Sequence, residues 1–174
     1  MKVLKFGGSS LASVERFLEV AGIVKQQVSA EPIGLVLSAP QGVTNLLVEL
    51  TDLAYLGADY RLLLQQWVDR LAQLQLQAET RLTAADQLRL TEVRQQQYQQ
   101  LSNQLSGVTL LRYCPDHIKA QILGLGEQFS VVLMRALLSS LQLQVLALDS
   151  VQCVKSQGDY LNAVADIPAS EQAL

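Results

Sequence analysis

Two short apolar runs joined by an amphipathic stretch constrain the fold of this chain more than any other feature in it. Lys2-Val3-Leu4-Lys5-Phe6 reads as a strand that stops at Gly7-Gly8-Ser9-Ser10, and Val14, Phe17, Leu18 and Ala21 then recur at helical spacing. Gly22 weakens that helix, and residues 29–32, closing on Pro32, end it. Ile33-Gly34-Leu35-Val36-Leu37 is nearly continuous in apolar character, the pattern of a strand buried on both faces. Strand, crossover helix and strand together form the unit from which parallel sheets are built. Ser38-Ala39-Pro40-Gln41-Gly42 then leads to a helix carrying Leu46, Leu47, Leu50, Leu53 and Ala54, opened by Thr44 or Asn45 and stopped at Gly57.

From 60 to 107 the pattern becomes that of long helices. Leu64, Trp67, Leu71, Leu74 and Ala78 alternate in steps of three and four, a heptad-like seam. Thr83-Ala84-Ala85-Asp86 has the form of a capping box with Asp in place of Glu, and the next helix, with Leu88, Val93, Leu101 and Leu105, is expected to end at Gly107. Two helices joined by a short turn pack most simply as an inserted, projecting antiparallel hairpin with its Gln-rich faces in water. Pro115-Asp116 starts another helix through Ile118, Ile122 and Leu123, interrupted at Gly124 and Gly126, and a fresh one begins around Glu127 with Phe129, Val132, Leu133, Ala136, Leu137 and Leu141 on one face. Residues 145–148 are expected as a third strand, and 153–174 carry weak signals. The chain stops without a Gly, Pro or charge-rich boundary, so it is expected to be a truncated piece of a longer protein.

Composition limits the function classes. The chain has 174 residues, 49% hydrophobic and 17% charged, enough for one packed core. Thirteen Lys and Arg against sixteen Asp and Glu leave a net charge of -3, which argues against nucleic acid as a partner. Two cysteines outside any C-x-x-C pattern and a single histidine give no metal site, and the expected compartment is a reducing, cytoplasmic one. No run of about eighteen apolar residues occurs and the N-terminal apolar stretch is too short for a signal peptide, so no membrane association is expected.

Three segments carry candidate chemistry. In Lys5-Phe6-Gly7-Gly8-Ser9-Ser10 the glycines let backbone N–H groups approach an anion, a following helix N-terminus would favour phosphate, and Lys5 would add a full charge. By itself it is equally a tight strand-to-helix turn with a solvated lysine, and it is neither a Walker A loop nor G-x-G-x-x-G. In Ser38-Ala39-Pro40-Gln41-Gly42-Val43-Thr44-Asn45 a second polar loop would open on the same sheet edge, where open α/β folds bind ligands, although these are also ordinary turn and cap residues. In Gly124-Leu125-Gly126-Glu127-Gln128-Phe129-Ser130 a carboxylate at a helix start could hold an ammonium group or simply complement the helix dipole.

Taken together, these segments resemble the aspartokinases of the amino-acid kinase family, in which K-F-G-G-[ST]-S, a later S-A-x-x-x-x-T-N and a G-E helix start occur in this order. Leu37-Ser38-Ala39-Pro40, Cys114-Pro115-Asp116, Gly158-Asp159-Tyr160-Leu161 and Val164-Ala165-Asp166-Ile167 are similar to segments of the threonine-sensitive bifunctional aspartokinase/homoserine dehydrogenases. The resemblance implies an α/β three-layer sandwich, a mostly parallel sheet between helices, of which this chain is the N-terminal lobe with a helical hairpin inserted at 60–107. It implies transfer of the ATP γ-phosphoryl group to the β-carboxylate of L-aspartate, the first step toward threonine, methionine and lysine.

Carried over by position, Lys5 would be the catalytic charge; Lys5, Phe6, Gly7, Gly8 and Ser9 would contact ATP, taken with Mg2+; Ser38, Thr44 and Glu127 would bind substrate, Glu127 by holding the ammonium group of the aspartate. NADP belongs only to a parent that carries a dehydrogenase domain. Leu125 departs from the family, which commonly has His or Arg before Gly-Glu. A G-R-x-G-S-D-like segment, with the family's nucleotide-base site and substrate-clamping arginine, is absent from these residues, so half an active site, no activity in isolation, and self-association as a homo-oligomer are expected. The alternatives are an amino-acid kinase acting on glutamate or a nucleotide, and a helical binding module without chemistry.

Overall fold

A computed structural model describes residues 1–172. The two apolar runs form β1 (Lys2–Phe6) and β2 (Ile33–Leu37), paired in parallel with Lys5 opposite Val36 and Phe6 opposite Leu37. Between them a single 3-10 turn (Gly8–Leu11) precedes α1 (Val14–Val28), whose N-cap Ser13 accepts from the Arg16 N–H. This corrects the expected helix start: α1 opens at Ser13, not at the glycine turn, because Ser13 supplies the cap. The same hydroxyl, hydrogen-bonded to Glu15, holds that carboxyl below its usual range.

After β2 come α2 (Val43–Leu56), α3 (Arg61–Ala78), α4 (Ala84–Leu111), α5 (Asp116–Leu123) and α6 (Leu125–Ser140). A short α7 (Ser150–Cys153), an antiparallel pair β3 (Ser156–Gln157) and β4 (Val164–Ala165), and α8 (Ile167–Glu171) complete the described chain. The α3 stripe is as the spacing predicts, with Leu64, Trp67, Leu71, Leu74 and Ala78 all buried. Thr83 caps α4 as expected, accepting from the Asp86 N–H and donating to the Asp86 carboxylate at 2.6 Å.

Other expectations are corrected. α4 runs past Gly107 because Val108 is buried and prolongs the inward stripe; the helix ends at Arg112, which turns left-handed at φ 52°. Leu88 is 62% exposed, out of phase with the inward row Leu90, Val93, Gln97, Leu101 and Leu105. The hairpin does not project. α3 and α4 pack on α2, α4 also packs on α6, and Arg70 ties α3 to the Ala12 carbonyl at 2.6 Å. Trp67, Leu90 and Leu101 therefore share one core with Phe17 of α1 and Phe129 of α6.

Residues 145–148 are not a strand. Leu143 and Val145 lean on the core while Leu146 and Leu148 are exposed, and this segment forms no ladder with β1 or β2 among the described residues. A strand needs a partner for its backbone groups. Nor is β2 buried on both faces: Leu4, Phe6, Leu35 and Leu37 pack toward the helices, whereas Val3 and Val36 are exposed on the other face. The 116–140 stretch is long and apolar enough to cross a membrane by composition. It breaks at Gly124, however, and Ile122, Leu125, Phe129, Leu133 and Leu137 are spent on the core.

Candidate active site

Parallel pairing places the carboxyl ends of β1 and β2 at one sheet edge, and the Ser38 N–H donates to the Phe6 carbonyl at 3.1 Å, so the two following loops leave together. A Cβ on Gly8 would stand 3.0 Å from the Ala39 carbonyl oxygen, so the glycine turn lies directly against the second loop. A Cβ on Gly7 would stand 3.8 Å from the Lys5 Nζ, so the ammonium lies over the turn that follows its own strand. The Ser10 N–H is taken by the Gly7 carbonyl at 3.0 Å, while the Gly8 and Ser9 N–H groups that lead the 3-10 turn have no carbonyl within it to bond. A charged amine, bare backbone and the exposed Ser9 thus fit a polyphosphate.

The second loop closes on Gly42, whose φ of 84° lets the chain swing into α2. Gly42, not Thr44 or Asn45, is the N-cap; Thr44 is half-buried in the first turn. α6 reaches this loop by close approach. A Cβ on Gly126 would stand 2.5 Å from the Ala39 Cβ and 2.9 Å from a Val43 methyl, which only glycine avoids. Ala39 is therefore touched by Gly8 at its carbonyl and by Gly126 at its methyl.

That contact brings Glu127, in the first turn of α6, to the loop that carries Ser38 and Thr44. The Glu127 Oε2 is buried and has no hydrogen-bond partner, and the Ser130 hydroxyl one turn later is likewise buried and unpaired. A carboxyl oxygen buried this way is costly unless a partner arrives from elsewhere.

The structure thus gathers Lys5, Gly7, Gly8, Ser9, Ser38, Thr44 and Glu127 around one sheet edge. Phe6 is different: its side chain packs against the core, and only its backbone meets the site. The α1 dipole, expected to point at the glycine turn, starts several residues away. Sequence reasoning quoted Ala39, Gly126 and Ser130 only as members of their segments, and the contact of Gly126 with Ala39 and the buried Ser130 hydroxyl come from the structure. Among the described residues no three His, Cys, Asp or Glu side chains cluster. Two shallow clefts of about 300 and 470 Å³ lie elsewhere, between α3 and α4 around Arg94, away from these groups.

The model of the amino acid kinase family matches residues 1–170. The chain belongs to the amino acid kinase family. It is similar to the bifunctional aspartokinase/homoserine dehydrogenase of Buchnera aphidicola, 30% identical across 99% of this chain and 21% of the relative. The enzyme of the same name from Haemophilus influenzae is 29% identical across 98% of the chain and again 21% of the relative. The chain therefore spans about a fifth of the length of these curated relatives.

Among solved structures, E. coli aspartokinase III in complex with aspartate and ADP superimposes with a TM-score of 0.81 at 22% identity, covering 99% of this chain and 36% of that one. An aspartate kinase from Clostridium acetobutylicum does so with a TM-score of 0.64 at 17% identity, covering 88% and 31%. The fold is the α/β amino-acid kinase fold of the aspartokinases.

Proposed function

We propose that this family member is the N-terminal, substrate-binding part of an aspartate kinase, which moves the γ-phosphoryl group of ATP to the β-carboxylate of L-aspartate. The observation that carries this reading is the unpaired buried Glu127 oxygen, drawn by the Gly126 contact to a loop that also touches the lysine and glycine cradle. A cradle for phosphate beside a carboxylate that needs an ammonium donor suits an amino-acid acceptor better than a nucleotide. In this reading Lys5, Gly7, Gly8 and Ser9 bind the phosphates, Lys5 stabilising charge as it shifts between oxygens. Ser38 and Thr44 hold the acceptor, and Glu127 takes its ammonium.

Phosphoryl transfer depends on positioning, so the 174-residue chain by itself is expected to form no aspartyl phosphate in a hydroxamate assay. Cytoplasmic location, a place in threonine synthesis and self-association belong to the same proposal. Calorimetric titration of a catalytically complete enzyme that carries this chain, with L-aspartate, L-glutamate and ATP, tests it. L-aspartate should bind in preference to L-glutamate, and Glu127→Gln should abolish that binding while leaving ATP binding intact. Tighter binding of L-glutamate, or aspartate binding untouched by Glu127→Gln, would overturn the assignment.

A further inference from the structure

Gln97 breaks the rule of the face it occupies. The inward row of α4 is Leu90, Val93, Gln97, Leu101, Leu105 and Val108, and Gln97 is only 4% exposed. A leucine would continue the row, whereas a carboxamide in that place must recover its desolvation cost through hydrogen bonds. It recovers only part: Nε2 donates to the Leu125 carbonyl at 2.9 Å, across 28 residues, while Oε1 is buried without a partner. Only the NH2 end can donate to a carbonyl, so the bond also fixes which way the amide faces. A core optimised for stability alone has no use for such a residue.

Its acceptor tells what the residue is for. Leu125 is the first residue of α6, Gly126 is the next and Glu127 follows. On one side Gly126 is pressed against Ala39 and Val43; Gln97 grips the carbonyl just before that contact. The opening turn of α6 is thus clamped between the second loop and the inserted hairpin. We infer that Gln97 is a positioning residue that sets the Glu127 carboxylate through the Leu125 carbonyl, which makes the hairpin a working part of the acceptor site. The inference rests on the reading of Glu127 as the acceptor's ammonium partner.

Gln97→Met and Gln97→Leu keep volume and remove the donor. They also remove the orphaned acceptor, so thermal stability should hold or rise, while L-aspartate binding should weaken about ten-fold, the scale of one well-placed hydrogen bond, with ATP binding unchanged. A residue with a merely structural role would move stability and affinity in the same direction. The free chain provides a second readout, because the amide resonances of Gly126 and Glu127 should shift in Gln97→Met. Folded variants that bind aspartate as the parent does, or Gly126 and Glu127 resonances that stay in place, would overturn the inference. If those resonances shift but neither parent nor variant takes up aspartate, the positioning is supported and it is the aspartate reading that fails.

Discussion

At the scale of single residues, the two loops and α6 meet at one small residue, approached at its carbonyl and at its methyl. Ala39 receives Gly8 and Gly126; a methyl group on Gly126 would overlap the Ala39 methyl, and one on Gly8 would stand at a tight 3.0 Å from the Ala39 carbonyl oxygen. Gly126→Ala forces Ala39 or Val43 to move and should destabilise the chain by about 1–3 kcal/mol, read as a lowered midpoint in urea, with a loss of aspartate affinity alongside. An unchanged midpoint would show that the contact is looser than the geometry states. The proposed site residues should divide by role in a catalytically complete enzyme that carries this chain. Lys5→Ala should lower kcat by about 3 kcal/mol or more in barrier, because it removes a partner of charge that develops in transfer. Thr44→Ala and Glu127→Ala should instead raise mainly the KM for aspartate, since in the proposed reading they hold a part of the substrate whose charge does not change. Steady-state kinetics on the three variants separates these roles. Near-normal kcat in Lys5→Ala would remove it from the chemistry. The turn at Gly7-Gly8 was legible because paired glycines after an apolar run mark the end of a strand. Ala39 was not, since an alanine in a loop announces neither burial nor a neighbour.

At the scale of elements, periodicity was a sound guide where the apolar row was unbroken. α3 shows its buried face in the sequence without error. α4 hides part of its own face, because Leu88 lies out of phase, Gln97 occupies an inward place, and Gly107 resembles a stop although Val108 continues the row. The third expected strand failed for a different reason: an apolar run indicates what can be buried, whereas a ladder also requires a neighbour, and none pairs with 145–148 among the described residues. The α4 cap is the most local of the correct readings and the easiest to test. Thr83→Ala removes the hydroxyl that accepts from the Asp86 N–H and should cost about 1 kcal/mol in urea unfolding. Loss of no stability at all would mean that α4 is held by packing alone.

At the scale of the whole molecule, a single core runs from the sheet through α1 and α6 to the hairpin, so the insertion and the site share one packing system. The family motifs were legible because they lie at three chain turns that the fold draws to one edge. How tightly the hairpin is joined to that edge was not legible, since it depends on long-range contacts such as Arg70 to Ala12 and Gln97 to Leu125. In the proposed function the acceptor amino acid and the nucleotide meet at this edge. Diffraction from crystals of a catalytically complete enzyme that carries this chain, grown with L-aspartate, ADP and magnesium, shows where they bind. Phosphates should lie over Gly7 and Gly8 beside Lys5, with the aspartate ammonium on Glu127 and its body against Ser38 and Thr44. Aspartate bound instead in the groove between α3 and α4, or nucleotide density away from the glycine turn, would contradict it.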